Sequence, residues 1–225
     1  IMHILYIFTT GHFYSANNKK WFSLLKKADQ HKFSILILDC KEDIKRQFSD
    51  EFDSFFNVIY FEKLGNILSR SILERYKYIR HISNLIDDLN PQIIHVQAAF
   101  NSYMIYPLFF LKTEPKIIYN IWGSDFNIGY SKNFKRRQIF NWLMRKSSLI
   151  WTNWFAMEQN IAGKFPQYKH KIQTILWGTD NYLFGPKDTL TQKKMKQKFN
   201  IGPNEFVMLY VRGFVPNSNH QALLD

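Results

Sequence analysis

Short apolar runs rich in β-branched and aromatic residues recur along this chain, and the stretches between them place apolar side chains at helical spacing. The runs read as strands over residues 3–8, 33–38, 57–61, 93–96, 117–121, 149–152 and 171–176. The helical stretches fall over 18–28, 67–89, 99–111, 134–146 and 156–164. The longest is predicted to stop at Asn90-Pro91, because the residue before a proline is driven out of the helical region. Strands that alternate with helices need crossover connections, and these give a mainly parallel sheet covered on both faces. The expectation is a doubly wound α/β domain over residues 1–185.

Past Asp180 the texture changes. Pro186, a polar lysine-rich helix ending near Asn200 and Gly202-Pro203 form a connector, after which 206–211 reads as a fresh strand followed by Gly213 and Pro216. A strand with an incomplete loop and helix behind it cannot bury its own faces. Residues 186–225 are therefore expected to be the connector and first strand of a second α/β domain that is cut off, making the chain a fragment.

With 30 Lys and Arg against 18 Asp and Glu, the net charge is +12, and such a chain favours anionic neighbours. Neither a helix-turn-helix, a zinc-finger spacing nor an aromatic RNA-binding strand is present, so no specific nucleic acid is expected. An anionic membrane surface fits better. The basic segment 132–137 runs into Ile139, Phe140, Trp142, Leu143 and Met144 before Arg145-Lys146. As a helix it either presents cations to a membrane or is an ordinary solvated surface helix. Cys40 is the single cysteine, so no intrachain disulfide is possible. No apolar stretch approaches the roughly 20 residues of a membrane span, and the opening residues lack signal-peptide form. The expected location is cytoplasmic, peripheral at the inner face of the membrane.

Two tetrapeptides of one pattern follow strands directly: Trp122-Gly123-Ser124-Asp125 and Trp177-Gly178-Thr179-Asp180. Small, polar elbows at the carboxyl ends of parallel strands are where ligands bind in such sheets. The order Pro91-Gln92-Ile93-Ile94-His95-Val96, then the two tetrapeptides, then Phe184 and Pro186, a basic helix and a strand ending Val211-Arg212-Gly213, resembles the amino-terminal half of a family 4 (group 1) GT-B retaining glycosyltransferase. The resemblance implies two Rossmann-like domains facing across a cleft, with 1–185 on the acceptor side and 186–225 opening the donor side.

It also implies roles for particular residues. Gly11 stands where relatives have a glycine loop that admits donor or acceptor, or makes a tight turn only. His12 either donates to a phosphate or hydroxyl or is an exposed loop residue. His95 resembles the first histidine of a His-Val-His segment, with Gln97 in place of the second, and either binds substrate or orients a loop by hydrogen bonding. Trp122 departs from relatives that carry histidine there. Asp125 either accepts from the acceptor hydroxyl, a catalytic role, or holds its loop through backbone amides. Gly123 and Ser124 complete that substrate-binding loop. Asn153, a candidate substrate-binding residue, stands at a position where relatives have serine, with Glu158 on the following helix, and either of the two is expected to face the cleft. Gly178 supplies a special backbone conformation and Asp180 caps the next turn. Arg212 is either the catalytic cation that neutralises the donor diphosphate as the glycosidic bond breaks or an arginine that merely pairs with a carboxylate, and Ser218-Asn219 occupy the region of its expected lysine partner.

The implied reaction moves a sugar from a nucleotide-diphosphate-sugar donor to a hydroxyl of a glycan or lipid-linked acceptor, with retention, in cell-surface polysaccharide or lipid-linked glycan synthesis. It needs no cofactor and no metal, and the fragment alone is expected to be inactive. A nucleotide-sugar epimerase of the same fold and a non-catalytic membrane- or polyanion-binding module are the alternatives.

Overall fold

The computed structural model describes residues 1–8, 16–38, 55–61, 64–99, 102–123, 125–130, 134–176 and 188–205. The apolar runs become strands β1 (His3–Phe8), β2 (Lys32–Leu38), β3 (Phe56–Phe61), β4 (Ile93–Gln97), β5 (Lys116–Ile121), β6 (Ser147–Thr152) and β7 (Ile172–Thr174). Every pairing is parallel, in the order β3-β2-β1-β4-β5-β6-β7. The chain lays strands outward from β1 in one direction and then resumes on the other side with β4. The order thus reverses between β1 and β4, and in such sheets the carboxyl ends beside that reversal form a crevice.

Helices cover both faces, as expected. They are α1 (Ala16–Lys26), α2 (Leu64–Ser69), α3 (Ile72–Leu89), α4 (Ser102–Ile105), α5 (Phe134–Lys146) and α6 (Phe155–Lys164), while α7 (Thr189–Lys198) belongs to a separate unit. On one face, Phe22 and Leu25 of α1 pack against Tyr6, Phe8, Phe33, Ile35 and Ile37. On the other, Ile82 and Ile86 of α3 join Phe140 and Leu143 of α5 and Ile161 of α6 over the strand residues Ile7, Val96, Tyr119 and Ile150. Each such side chain contributes about 1.5–3 kcal/mol on full burial. Period two along each strand therefore sorts residues between two separate cores.

The structure departs from the sequence expectation in four places. The long helix of 67–89 is two helices, because Ser71 starts α3 afresh: its side chain accepts from the Glu74 N–H, and the Glu74 carboxylate accepts from the Ser71 N–H at 2.8 Å. The helix over 99–111 shrinks to α4 and a 3₁₀ turn at Tyr106–Phe110, in which Pro107 lies in the first turn and has no N–H to give. A π-helical turn, Asp125–Tyr130, follows β5. Strand β7 is three residues long, with Ile175 N–H still donating to Thr152 O beyond it. At the other end of α3, Asn90 stops the helix in the left-handed conformation (φ 46°) that asparagine tolerates.

The chain divides into two compact units, Ile1–Trp177 and Gly178–Asp225. In the second, Asp188 caps α7 by accepting from the Thr191 N–H at 2.8 Å, and Lys196 Nζ donates to the Pro203 carbonyl at 2.7 Å. The expected strand over 206–211 lies outside the described residues, as does Cys40. Among the described residues, no helix is long and apolar enough to cross a membrane.

Candidate functional site at the ends of β4 and β5

His95 and Gln97 lie two residues apart on β4 and so share a face of the sheet. The register sets His95 beside Tyr6 of β1, and their rings lie 4.9 Å apart. Trp151 of β6 reaches the imidazole from the other side at 5.4 Å, and Trp21 of α1 at 6.3 Å. Enclosed by three aromatic rings, His95 is 4% exposed. Burial pushes its pKa down to about 3, which leaves the imidazole neutral at ordinary pH.

Gln97 fixes which imidazole nitrogen carries the proton. An indole N–H only donates, so the atom of Gln97 that meets Trp122 Nε1 at 3.2 Å is the carbonyl oxygen. Asn120 Nδ2 donates to the same oxygen at 2.7 Å. The amide nitrogen of Gln97 then faces His95 Nε2 at 3.2 Å and donates to it. His95 Nε2 is the acceptor, and the ring proton sits on Nδ1. Asn120 is fully buried, and its Oδ1 has no hydrogen-bond partner among the described residues.

The loop after β5 is held from within. Asp125 Oδ1 accepts from the backbone N–H of Trp122 at 3.1 Å and of Gly123 at 2.9 Å, and Oδ2 accepts from Tyr119 Oη at 2.9 Å. The carboxyl is buried, and burial pushes its pKa up against the hydrogen bonds that favour the charge. Asp125 thus holds its loop through the backbone amides of Trp122 and Gly123. Gly123 sits at φ +102°, a conformation glycine adopts freely, and a Cβ there would stand 2.6 Å from the Trp154 ring. Its carbonyl accepts from the N–H groups of Phe126 and Asn127, starting the π-helical turn.

At the next strand end, Asn153 is half-buried just beyond β6. Glu158 of α6 accepts from Thr174 Oγ1, which lies 3.0 Å from Thr152 Oγ1, so this carboxylate ties α6 to β6 and β7. His95, Trp122, Gly123 and Asp125 are thus brought together, with Asn153 at the neighbouring strand end. Gly11, His12, Ser124, Gly178, Asp180 and Arg212 lie outside the described residues. The sequence reading singled out neither Asn120 nor Tyr119 nor Trp151. An asparagine inside the apolar run 117–121 was the visible signal for the first. Among the described residues, no three His, Cys, Asp or Glu side chains gather as a metal site would require.

A buried polar cluster thus lies beside the strand-order reversal, with Trp122 of the loop after β5 tied to it. Residues 3–153 match the family described as glycosyl transferase 4-like. The chain belongs to that family. No curated protein matches this glycosyl transferase 4-like chain. Its fold is that of GT-B glycosyltransferases. It is similar to the Anabaena protein HepE in complex with UDP and glucose, at 14% identity and a TM-score of 0.58, over 88% of this chain and 50% of that one. A glycosyltransferase from Rickettsia africae matches at 14% identity and 0.58, over 90% of this chain and 50% of that one. The UDP-GlcNAc 2-epimerase from Neisseria meningitidis bound to UDP-GlcNAc matches at 17% identity and 0.54, over 88% and 54%. This chain spans about half the length of these structures.

Proposed function

We propose that the protein is a retaining glycosyltransferase that moves a sugar from a nucleotide-diphosphate-sugar donor to a hydroxyl of a glycan or lipid-linked acceptor. The observation that carries this reading is the cluster of His95, Gln97, Asn120 and Trp122 at the carboxyl ends of β4 and β5, inside a segment that matches a glycosyltransferase family. Residues 1–185 take the acceptor side and 186–225 open the donor side. The half-buried Trp122 offers an aromatic face to a sugar ring, and its N–H, held by Gln97, fixes the plane of that face. Neutral His95 serves by orienting Gln97, not by exchanging protons. Arg212 is the cation for the departing diphosphate, the place where a fixed positive charge lowers the barrier most.

The test uses the full-length protein: release of free nucleotide from UDP-, GDP- and ADP-sugars, with and without lipid-linked acceptor extract. Acceptor-stimulated release from one donor, abolished by Arg212→Ala, supports the proposal. The fold is shared with UDP-GlcNAc 2-epimerases, which makes epimerisation the second reading. Interconversion of the sugar without any acceptor dependence favours that reading. No release and no interconversion from a folded protein favours a module that docks to anionic surfaces.

A further inference from the structure

The amphipathic segment that the sequence offers to a membrane turns its apolar side elsewhere. As α5 it buries Ile139, Phe140, Leu143 and Met144 in the core, so that face is spent inside the protein. An apolar surface that stays exposed stands instead at the corner between α2 and α3. The capping box of Ser71 and Glu74 starts α3 afresh there and makes Ile72 and Leu73 first-turn residues. Their side chains are 84% and 62% exposed. Leu68 of α2 and Tyr76, one turn on from Ile72, are exposed as well, and the Tyr76 ring meets that of Phe110 edge-on at 5.6 Å. Scattered exposed apolar side chains are ordinary, but neighbouring ones mark an interaction surface.

The place of this corner follows from the far end of the helix. His3, at the start of β1, donates from Nδ1 to the Leu89 carbonyl at 2.8 Å, so the last turn of α3 lies at the amino ends of the strands. With 18 residues α3 spans about 27 Å, which puts its first turn toward the carboxyl ends. Charge then decides what covers the surface. Arg75 donates to the carbonyls of Arg70 and Leu68, and Arg80 to the carbonyl of Phe110, with its guanidinium 5.4 Å from that residue's ring centre. Those partners are neutral, so both guanidinium groups keep their positive charge beside the apolar side chains. Lys77 lies near Glu74, the carboxylate of this stretch. A second copy of the chain seated on the same corner would set like charges against each other. A bilayer with anionic headgroups accepts both the cations and the apolar side chains.

We propose that the corner between α2 and α3 docks onto an anionic bilayer, with Ile72 and Leu73 at the acyl boundary, Tyr76 among the headgroups and Arg75, Lys77 and Arg80 toward lipid phosphates. The inference is independent of the reaction at the strand-end cluster. Vesicle flotation tests it on the full-length protein, with neither donor nor acceptor present. Vesicles of mixed phosphatidylglycerol and phosphatidylcholine are compared with vesicles of phosphatidylcholine alone. The expected result is binding to the anionic vesicles that weakens by about tenfold or more in Ile72→Ser/Leu73→Ser, because two aliphatic side chains no longer leave water. Lys77→Gln, at an exposed position, weakens it by about fivefold, and so does rising salt. Ile72 and Leu73 already reach solvent, so the serine variant should unfold in urea near wild type, and Lys77→Gln keeps the test valid where it does not. Equal binding to the neutral vesicles, unchanged binding of the serine variant or no binding to any vesicle overturns the proposal. A wild-type dimer that the serine variant dissolves, read by sedimentation velocity, overturns it in favour of a second copy. None of these outcomes bears on nucleotide-sugar turnover.

Discussion

Tyr119 donates its hydroxyl proton to the Asp125 carboxylate across 2.9 Å, with both side chains out of solvent. The pair joins the middle of β5 to the loop that follows it, and through Asp125 the backbone of Trp122 and Gly123 is fixed. Asp125→Ala leaves a phenol and two amide N–H groups without their acceptor and is expected to cost about 2–4 kcal/mol. Tyr119→Phe removes one hydrogen bond and costs about 1–2 kcal/mol. Urea unfolding checks both, and an Asp125→Ala protein within about 0.5 kcal/mol of wild type would contradict the loop-holding role.

The same carboxyl gives a pH signature. Its folded pKa is raised by burial, so between the ordinary aspartate value and the raised one the native state binds more protons than the unfolded chain. Stability from this group is greatest at low pH and falls as pH rises through that window. Against Asp125→Asn, which cannot titrate, the wild type loses up to about 1.4 kcal/mol per pH unit across it. Unfolding free energies at several pH values from 3 upward, wild type minus variant, read the slope, and a rising difference would refute the assignment.

His95 has the opposite sign. Its folded pKa of about 3 lies below the unfolded value near 6.5, so stability is full above 6.5 and is lost as pH falls from there toward 3. Relative to His95→Gln, the wild type is expected to lose at most about 2 kcal/mol between pH 6.5 and pH 5. The ring should show no titration by NMR from pH 5 to 8, with its proton on Nδ1 throughout. An imidazole titrating near 6.5 would mean that the aromatic enclosure is open.

Gly123 is strained for any other residue. Gly123→Ala forces a β-carbon into the left-handed region at φ +102° and toward the Trp154 ring. The expected cost is about 1–3 kcal/mol. Trp154 is 40% exposed and its ring can move, so most of the cost should be backbone strain. A double-mutant cycle with Trp154→Ala separates the two: recovery of less than half assigns the cost to the backbone, and full recovery assigns it to the ring.

Most of the sheet was legible because a strand buried on both faces must be apolar along most of its length, as 4–8 is throughout and 117–121 is apart from Asn120. The bounds 134–146 for α5 were legible too, from its spacing. The break between α2 and α3 was not read, though Ser71 and Glu74 stand at capping-box spacing, because apolar residues run at helical period straight across it. At the site, the loop 122–125 announced itself by a glycine between tryptophan and aspartate. The contact of Gln97 with Asn120 did not, since it arises from the β4 to β5 register, which pairs residues 23 apart in the chain. The π-helical turn Asp125–Tyr130 is likewise invisible as a local pattern; it follows a loop in which the Gly123 carbonyl accepts from Phe126 and Asn127.

Trp122 allows stability and substrate binding to be separated. Trp122→Phe keeps an aromatic face and drops the N–H, while Gln97 keeps its bond from Asn120, so the fold should lose less than about 1 kcal/mol. Trp122→Ala removes the face itself. If an acceptor sugar stacks there, as the proposed function requires, the alanine variant raises the acceptor KM by about tenfold or more with a smaller change in kcat, whereas the donor KM stays near wild type. The phenylalanine variant falls between. Steady-state kinetics with the donor found by the nucleotide-release panel supplies both constants, and an unchanged acceptor KM in Trp122→Ala moves the acceptor away from the ends of β4 and β5.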